Sequence, residues 1–403
     1  MKSVELLLLS ILIYLTGNAQ EIAQWRGENR NGIYNETGLL KKWAENGPKL
    51  LWHYDELGDG FSSASVTKTA VYLTGLKIDM GYVFALSHEG KLLWKTEYGH
   101  EWTESHNGTR TTPLVYGEKL YLMSGLGKVY CINSKTGEII WTVDLMKDYD
   151  GRNIKWAITE NLLIDDNKLF CTPGGVEANV IALDKNTGKL IWKSKGNGEL
   201  SAYCSPALIK LPQRHILATM TESSILGIDV KNGNVLWRQE HTNKYSVHPN
   251  TPIYNNGYLY CVSGYGTGGV MLKLSEDGSK IAEVWSDSSL DPRIGNVVVL
   301  NGRIYGAGDK TKKLQCIDWE TGKSIYSADM IAPANIISAQ GLLYCYSETG
   351  TINLVEPKAD GFDILSSFNV PYGTNENWAH LVIFDKKLYV RHGSSIMVYD
   401  ISE

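Results

Sequence analysis

Ala182-Leu183-Asp184-Lys185-Asn186-Thr187-Gly188-Lys189-Leu190-Ile191-Trp192 spells a strand, a tight turn and a second strand that ends in an indole. Gly188 supplies a turn conformation that other residues reach only with strain, and Asp or Asn before it is a side chain that bonds to turn backbone. Matching segments run from Cys131 to Trp141, Gly227 to Trp237 and Cys316 to Tyr326, where Tyr replaces Trp, and a copy one residue shorter runs from Ala85 to Trp94. With Trp52 and Trp285, a Trp closes such a strand six times, roughly every 45 residues. In a further copy Leu365 takes the slot. The small residue that heads each segment (Ala85, Cys131, Ala182, Gly227, Cys316) is expected to let a neighbouring unit approach, while the Trp offers a broad surface to bury.

Self-similarity at this period marks stacked four-stranded units, none of which can bury its apolar face alone. Seven units read at about 62–98, 111–144, 158–195, 203–240, 250–288, 295–330 and 334–370. The segment from Ala379 to Ile401 holds only three strands, and Lys49-Leu50-Leu51-Trp52-His53-Tyr54 is an outer strand without a unit of its own. The expected fold is all-β, an eight-bladed β-propeller of four-stranded antiparallel sheets over residues 47–403. Its last blade is closed by the N-terminal strand, which removes the exposed edges of an open array. Residues 20–46, with Trp25, Arg26 and Trp43 among turn formers, are expected to pack as an irregular cap on one face or flank of the ring, Trp25 buried.

One ring accounts for a 403-residue chain with 43% hydrophobic content. A net charge of −5 without a basic block argues against a nucleic-acid partner. Lys2 precedes an apolar run from Leu6 to Leu15, and Thr16-Gly17-Asn18-Ala19-Gln20 offers small residues around a cut after Ala19. Residues 1–19 thus read as a secretory signal, too short for a membrane span, and no Cys follows to carry a lipid. A periplasmic or secreted protein without a transmembrane segment in its mature part is expected. The six Cys occupy equivalent slots of different blades, too far apart to bridge, so buried free thiols are expected.

These repeats resemble the pyrroloquinoline quinone (PQQ) repeat superfamily, which includes quinoprotein alcohol dehydrogenases and an outer-membrane assembly lipoprotein with an eight-bladed propeller. Trp25-Arg26-Gly27, Gly47-Pro48-Lys49-Leu50-Leu51-Trp52, Ser263-Gly264-Tyr265-Gly266-Thr267-Gly268-Gly269 and Trp378-Ala379-His380 resemble its PQQ-binding-like branch. The repeats specify a fold and not a cofactor, since the assembly lipoprotein has them without a quinone. The adjacent-Cys pair that many quinoprotein dehydrogenases place over their cofactor is not in this sequence.

In a propeller, the loops from one blade's outer strand to the next blade's inner strand crowd around one mouth of the channel. Here those loops are rich in aromatic, His and Arg residues, more than a solvated surface needs. Aligning the inner-strand starts puts Ser63, Thr112, Glu160, Ser205, Thr251, Gly295, Ala334 and Ala379 at one level, with Glu160 the ionisable member. A carboxylate there is a cation ligand, a general base, or a group satisfied by Arg110 or Lys155, and the three readings stay open. The resemblance implies PQQ with calcium. A flat tricarboxylate asks for cations, hydroxyls and an aromatic face, offered by Trp102, Arg110, Thr112, Trp156, Tyr203, Thr251, Arg293, Trp378 and His380. Glu160 is the candidate metal ligand, and Glu160 and His248 are the candidate catalytic groups.

Gly264-x-Gly266-x-x-Gly269 joins two strands with no helix after it, which makes it a tight propeller loop and not a dinucleotide fingerprint. No Walker-type loop, His-Glu-x-x-His, Cys-x-x-Cys or Gly-x-Ser-x-Gly element supports hydrolysis or phosphoryl transfer. Two functions remain. One is a quinone-linked oxidoreductase acting on an alcohol, polyol or sugar. The other is a non-catalytic propeller that binds a small molecule or carbohydrate, or a protein partner in outer-membrane assembly, across the same mouth.

Overall fold

The computed structural model describes residues 21–295, 297–329 and 333–403, so the expected export signal lies outside the described residues. Within each repeat the turn forms as its chemistry dictates. The Asp184 carboxylate accepts the backbone N–H groups of Asn186 and Thr187, both at 2.9 Å, and Gly188 takes a φ of +71°. Asn133, Asp229 and Asp318 repeat this arrangement ahead of Gly137, Gly233 and Gly322. Past the turn the outer strand carries a β-bulge: Ala182 lies opposite Trp192 but Leu183 lies opposite Leu190, which leaves Ile191 unpaired.

That bulge aims the indole at the next blade. Trp52, Trp94, Trp141, Trp192, Trp237 and Trp285 each donate Nε1–H to a carbonyl near the following blade's turn, at 2.7–3.3 Å, and Tyr326 donates its hydroxyl to Lys358 O. Five of the six rings lie on a turn glycine of that blade (Gly90, Gly137, Gly188, Gly233, Gly322), so close that a Cβ would stand 2.5–2.9 Å from a ring carbon. The small residue has a different task from the one expected. Ala85, Cys131, Ala182, Gly227 and Cys316 sit directly across from the aromatic residue of their own blade, making room for it there. In blade seven the slot falls to Ser366, paired with Leu354, and the expected Leu365 is the unpaired bulge residue; there Phe368 covers Gly47, and Trp43 packs on Phe368 at 5.3 Å.

Eight sheets result. The last consists of Val382–Phe384, Lys387–His392 and Ser395–Asp400, completed by Lys49–Tyr54, whose Trp52 pairs with Val398 antiparallel. The ring is therefore closed by the N-terminal strand. All six cysteines are buried and free.

Residues ahead of that strand cross the axial opening, where a cap on a face or flank was expected. Ile22–Ala23 adds to the channel edge of blade two, antiparallel to Leu114–Tyr116, and Ile33–Tyr34 adds to blade seven, parallel to Ala334–Ala339. Between them two buried guanidinium groups reach further blades. Arg26 donates to Val297 O (2.8 Å), Ile336 O (3.1 Å) and Asn31 O (3.0 Å), and Arg30 to Asn161 O (2.8 Å) and Leu162 O (3.0 Å). Inner-strand edges would otherwise leave carbonyls unpaired away from water. Burial pulls Arg26 down to about 9 and Arg30 to about 10, which leaves both cationic at neutral pH.

The indole contact can be weighed against backbone strain alone. Gly233→Ala meets both a φ of +79° and the Trp192 ring, whereas Gly302→Ala meets a φ of +73° and open space. Gly302→Ala should cost about 1–2 kcal/mol of stability and Gly233→Ala a further ~1–3 kcal/mol for overpacking, read as urea midpoints. Equal losses would remove the Trp–Gly contact from its proposed place in blade docking.

Candidate functional site

A belt of hydrogen bonds joins blades seven, eight and one to four around the channel at the level where the inner strands begin. Ser63 N donates to Thr112 Oγ1 (2.9 Å), Thr112 N to Asn161 Oδ1 (2.6 Å) and Asn161 N to Ser205 Oγ (3.2 Å). Across the closing seam His380 N donates to Ser63 Oγ (3.0 Å), and the Asn335 amide donates to Trp378 O and Ala379 O. The belt members are thus Asn161, Asn335 and His380 where Glu160, Ala334 and Ala379 were expected. A one-residue slip sends a side chain to the opposite face of a strand. Accordingly, Glu160 is turned away from the opening: Oε2 accepts from Thr172 N (2.8 Å) and Oε1 from Thr172 Oγ1 (3.2 Å). The charge it feels is Arg30, not the expected Arg110 or Lys155, and burial pushes its carboxyl up to about 8.

Above the belt lies a cavity of about 870 Å³, within the range of small-molecule sites. Trp25 of the crossing segment, Thr112, Asn161, Ser205 and His380 line it at the level of the belt. One wall is aromatic through Trp156, Tyr203, Tyr245 and Tyr265: Tyr245 stands edge-on to Tyr265 at 4.6 Å and to Trp156 at 6.5 Å, and Tyr203 donates its hydroxyl to Trp156 O. A second aromatic group holds Phe61, His106 and Trp378, with Trp378 5.1 Å from Phe61 and 4.9 Å from His106.

These walls are held in costly backbone. His106, Ala157, Tyr203, Ser246 and Tyr265, all in loops at this mouth, take φ between +44° and +74°. For a residue with a bulky side chain such a conformation is a true outlier, costing about 1–2 kcal/mol, and it persists only where surrounding contacts enforce it. One such contact is Arg110, whose guanidinium donates to Ser105 O (2.7 Å), His106 O (3.0 Å) and Gly108 O (2.8 Å) and so pins its own loop. Elsewhere in the wall Glu348 ties two lining residues together, accepting from Arg293 Nη2 (2.5 and 2.7 Å) and from Trp378 Nε1 (2.9 Å).

Of the nine expected cofactor contacts, Arg110, Thr112, Trp156, Tyr203, Arg293, Trp378 and His380 line the cavity. Trp102 does not: it is buried with Nε1–H on Ser105 Oγ (3.0 Å). Thr251 is buried outside the lining. Neither expected catalytic side chain faces the cavity. Glu160 serves Thr172 as described, and His248 is fully buried with Nδ1 2.9 Å from Ser263 Oγ, its imidazole pulled down to about 3 by burial and thus neutral. His380 lines the floor but spends Nδ1 accepting from Arg26 Nη1 (3.2 Å), since a guanidinium can only donate. Sequence reasoning missed Tyr265, Asp309 and Lys310 because it searched the blade-to-blade loops. The loops between second and third strands of blades five and six open on the same mouth, and the Gly264–Gly269 loop was their visible signal.

A calcium ion seeks six to eight oxygen ligands. Among the described residues Asp309 is the single carboxylate lining the cavity, and it is held by Arg293 (2.8 Å) and Lys312 (3.1 Å). No group of three or more His, Cys, Asp or Glu gathers for a metal among the described residues. This donor set does not fit the calcium that the resemblance implies, and no chemical step is derived through it.

A closed eight-bladed propeller with a cavity at one mouth is the class that fold and site define. The chain belongs to the PQQ-repeat family described as outer membrane protein assembly factor BamB, whose profile matches residues 79–326. It is 24% identical over 151 residues to a quinoprotein alcohol dehydrogenase, PedH, of Pseudomonas putida, covering 36% of this chain and 24% of that one. It is 23% identical over 223 residues to BamB of Kangiella koreensis, covering 53% and 52%. The chain thus spans about half or less of the length of these curated relatives. A europium-containing methanol dehydrogenase shares the fold with a TM-score of 0.68 at 13% identity, over 92% of this chain and 90% of that one.

Glu160 makes a signed pH prediction. Its carboxyl is raised in the fold, so the stability it contributes is present below about pH 4.5 and is lost as pH rises through about 8. The buried histidines act with the opposite sign, so the readout is the difference between Glu160→Gln and the parent protein. The variant's urea midpoint should gain on the parent's as pH rises from 5 to 8.5. A constant difference would contradict the placement of a raised carboxyl at this position.

Proposed function

We propose that this chain is an exported, non-catalytic binding propeller whose mouth cavity holds a carbohydrate. The observation that carries the reading is the pair Tyr203 and Tyr265, each kept at positive φ in a cavity wall. Aromatic faces fixed in advance bind sugar rings at little entropic cost, and the neutral belt of Thr112, Asn161 and Ser205 offers donors and acceptors for hydroxyl groups. Against quinone-linked oxidation stand the engaged Asp309 and the positions of Glu160 and His248, both turned away from the cavity. Export rests on the N-terminal sequence and on kinship with an outer-membrane assembly factor. Among the described residues no helix is long and apolar enough to cross a membrane.

Titration calorimetry with a panel of oligosaccharides tests the reading. At least one should bind saturably, and Trp156→Ala or Trp378→Ala should weaken it about tenfold, the equivalent of ~1.4 kcal/mol. Dye reduction with an alcohol panel after reconstitution with PQQ and calcium should stay at background. Cofactor-dependent turnover would overturn the proposal in favour of an oxidoreductase.

A further inference from the structure

Among the described residues four cationic side chains line the cavity against one carboxylate, in a chain whose net charge is −5. They are not equivalent. Arg293 is neutralised by Asp309 and Glu348, and Arg110 is committed to three carbonyls of its own loop. Lys244 and Lys310 are exposed and form no ion pair among the described residues. Both stand at the same piece of wall. Lys244 Nζ lies 4.7 Å from the centre of the Tyr245 ring, Tyr245 packs on Tyr265, and the Lys310 stem runs beside Gly266, where a Cβ would be 3.5 Å from its Cδ.

Many surface lysines of this protein lack an ion pair, and what distinguishes Lys244 and Lys310 is that both line the cavity. The two ammonium groups flank the Tyr245–Tyr265 contact and concentrate positive potential where a ring would stack, and a concave site focuses that field on an incoming anion. Resting on the carbohydrate reading above, we infer that the ligand is an acidic saccharide, one whose sugar rings bear carboxylate or sulfate, with Lys244 and Lys310 as the groups that meet its charge. Arg293, already doubly paired, is not the anchor.

The test compares three probes on the full protein by calorimetry: a galacturonic acid trisaccharide, a sulfated disaccharide and a neutral galactose trisaccharide, with inorganic sulfate as control. An acidic saccharide should bind at least tenfold more tightly than the neutral one and lose affinity as salt rises. The double variant Lys244→Ala/Lys310→Ala should bring its affinity down to that of the neutral sugar while leaving thermal unfolding unchanged, since both side chains are exposed. Whichever acidic probe binds tighter identifies the anion. Equal binding of neutral and acidic sugars, unaffected by the double variant, would overturn the inference and leave the carbohydrate reading standing. Binding of sulfate alone, or of no saccharide, would overturn both.

Discussion

Five of the eight blades are docked on the next by an indole lying on a turn glycine. Two local features recur at each of these contacts. The turn glycine has no Cβ to collide with the ring, and the bulge rotates the Trp out of its strand; opposite Trp94, Trp141 and Trp192 a small residue also gives the ring room within its own blade. The Nε1–H bond to the neighbouring backbone then fixes the contact in orientation as well as distance. Trp192 and Trp237 are buried and Trp52, Trp94, Trp141 and Trp285 half-buried, and the repetition of this docking from blade to blade sets the geometry at the mouth.

The segment crossing the channel solves a second problem. Inner strands present edges to the axis, and Arg26 and Arg30 meet carbonyls that would otherwise be stranded there. Two desolvated cations are a costly device, with both Nε–H groups buried without a partner; they are tolerated because their Nη donors are spent largely on backbone carbonyls and because Glu160 adds an opposite charge near Arg30. The functional result is a cup. With Trp25 at its floor, an opening through the ring becomes a cavity reached from the other face.

The ring could be read from the sequence because the Trp and Gly positions report directly on blade docking, and the closing strand because Lys49–Tyr54 had no partners of its own. The site was legible only in outline. Trp156, Tyr203 and Trp378 stood out as aromatic residues in loops that need none. The level of the belt was misjudged by one residue in blades three, seven and eight, since inner strands as short as Leu163–Asp165 carry too little alternation to fix which residue faces the axis. That slip put Glu160 in the role of Asn161. The crossing segment was hidden for another reason: its pairings are two residues long, and its anchors are arginines bonded to backbone, which leave no pattern in side-chain type.

Closure between Lys49–Tyr54 and Ser395–Asp400 also bears on how the protein is made. The strand that seals the ring and its partner are separated in sequence by nearly all the other blades. As the chain folds, the stack of sheets therefore keeps one open edge at each end until they meet, and long-range pairings of this kind are slow and prone to wrong partners. The chain has to hold Lys49–Tyr54 in reserve, so shielding of that edge matters most just before the ring closes.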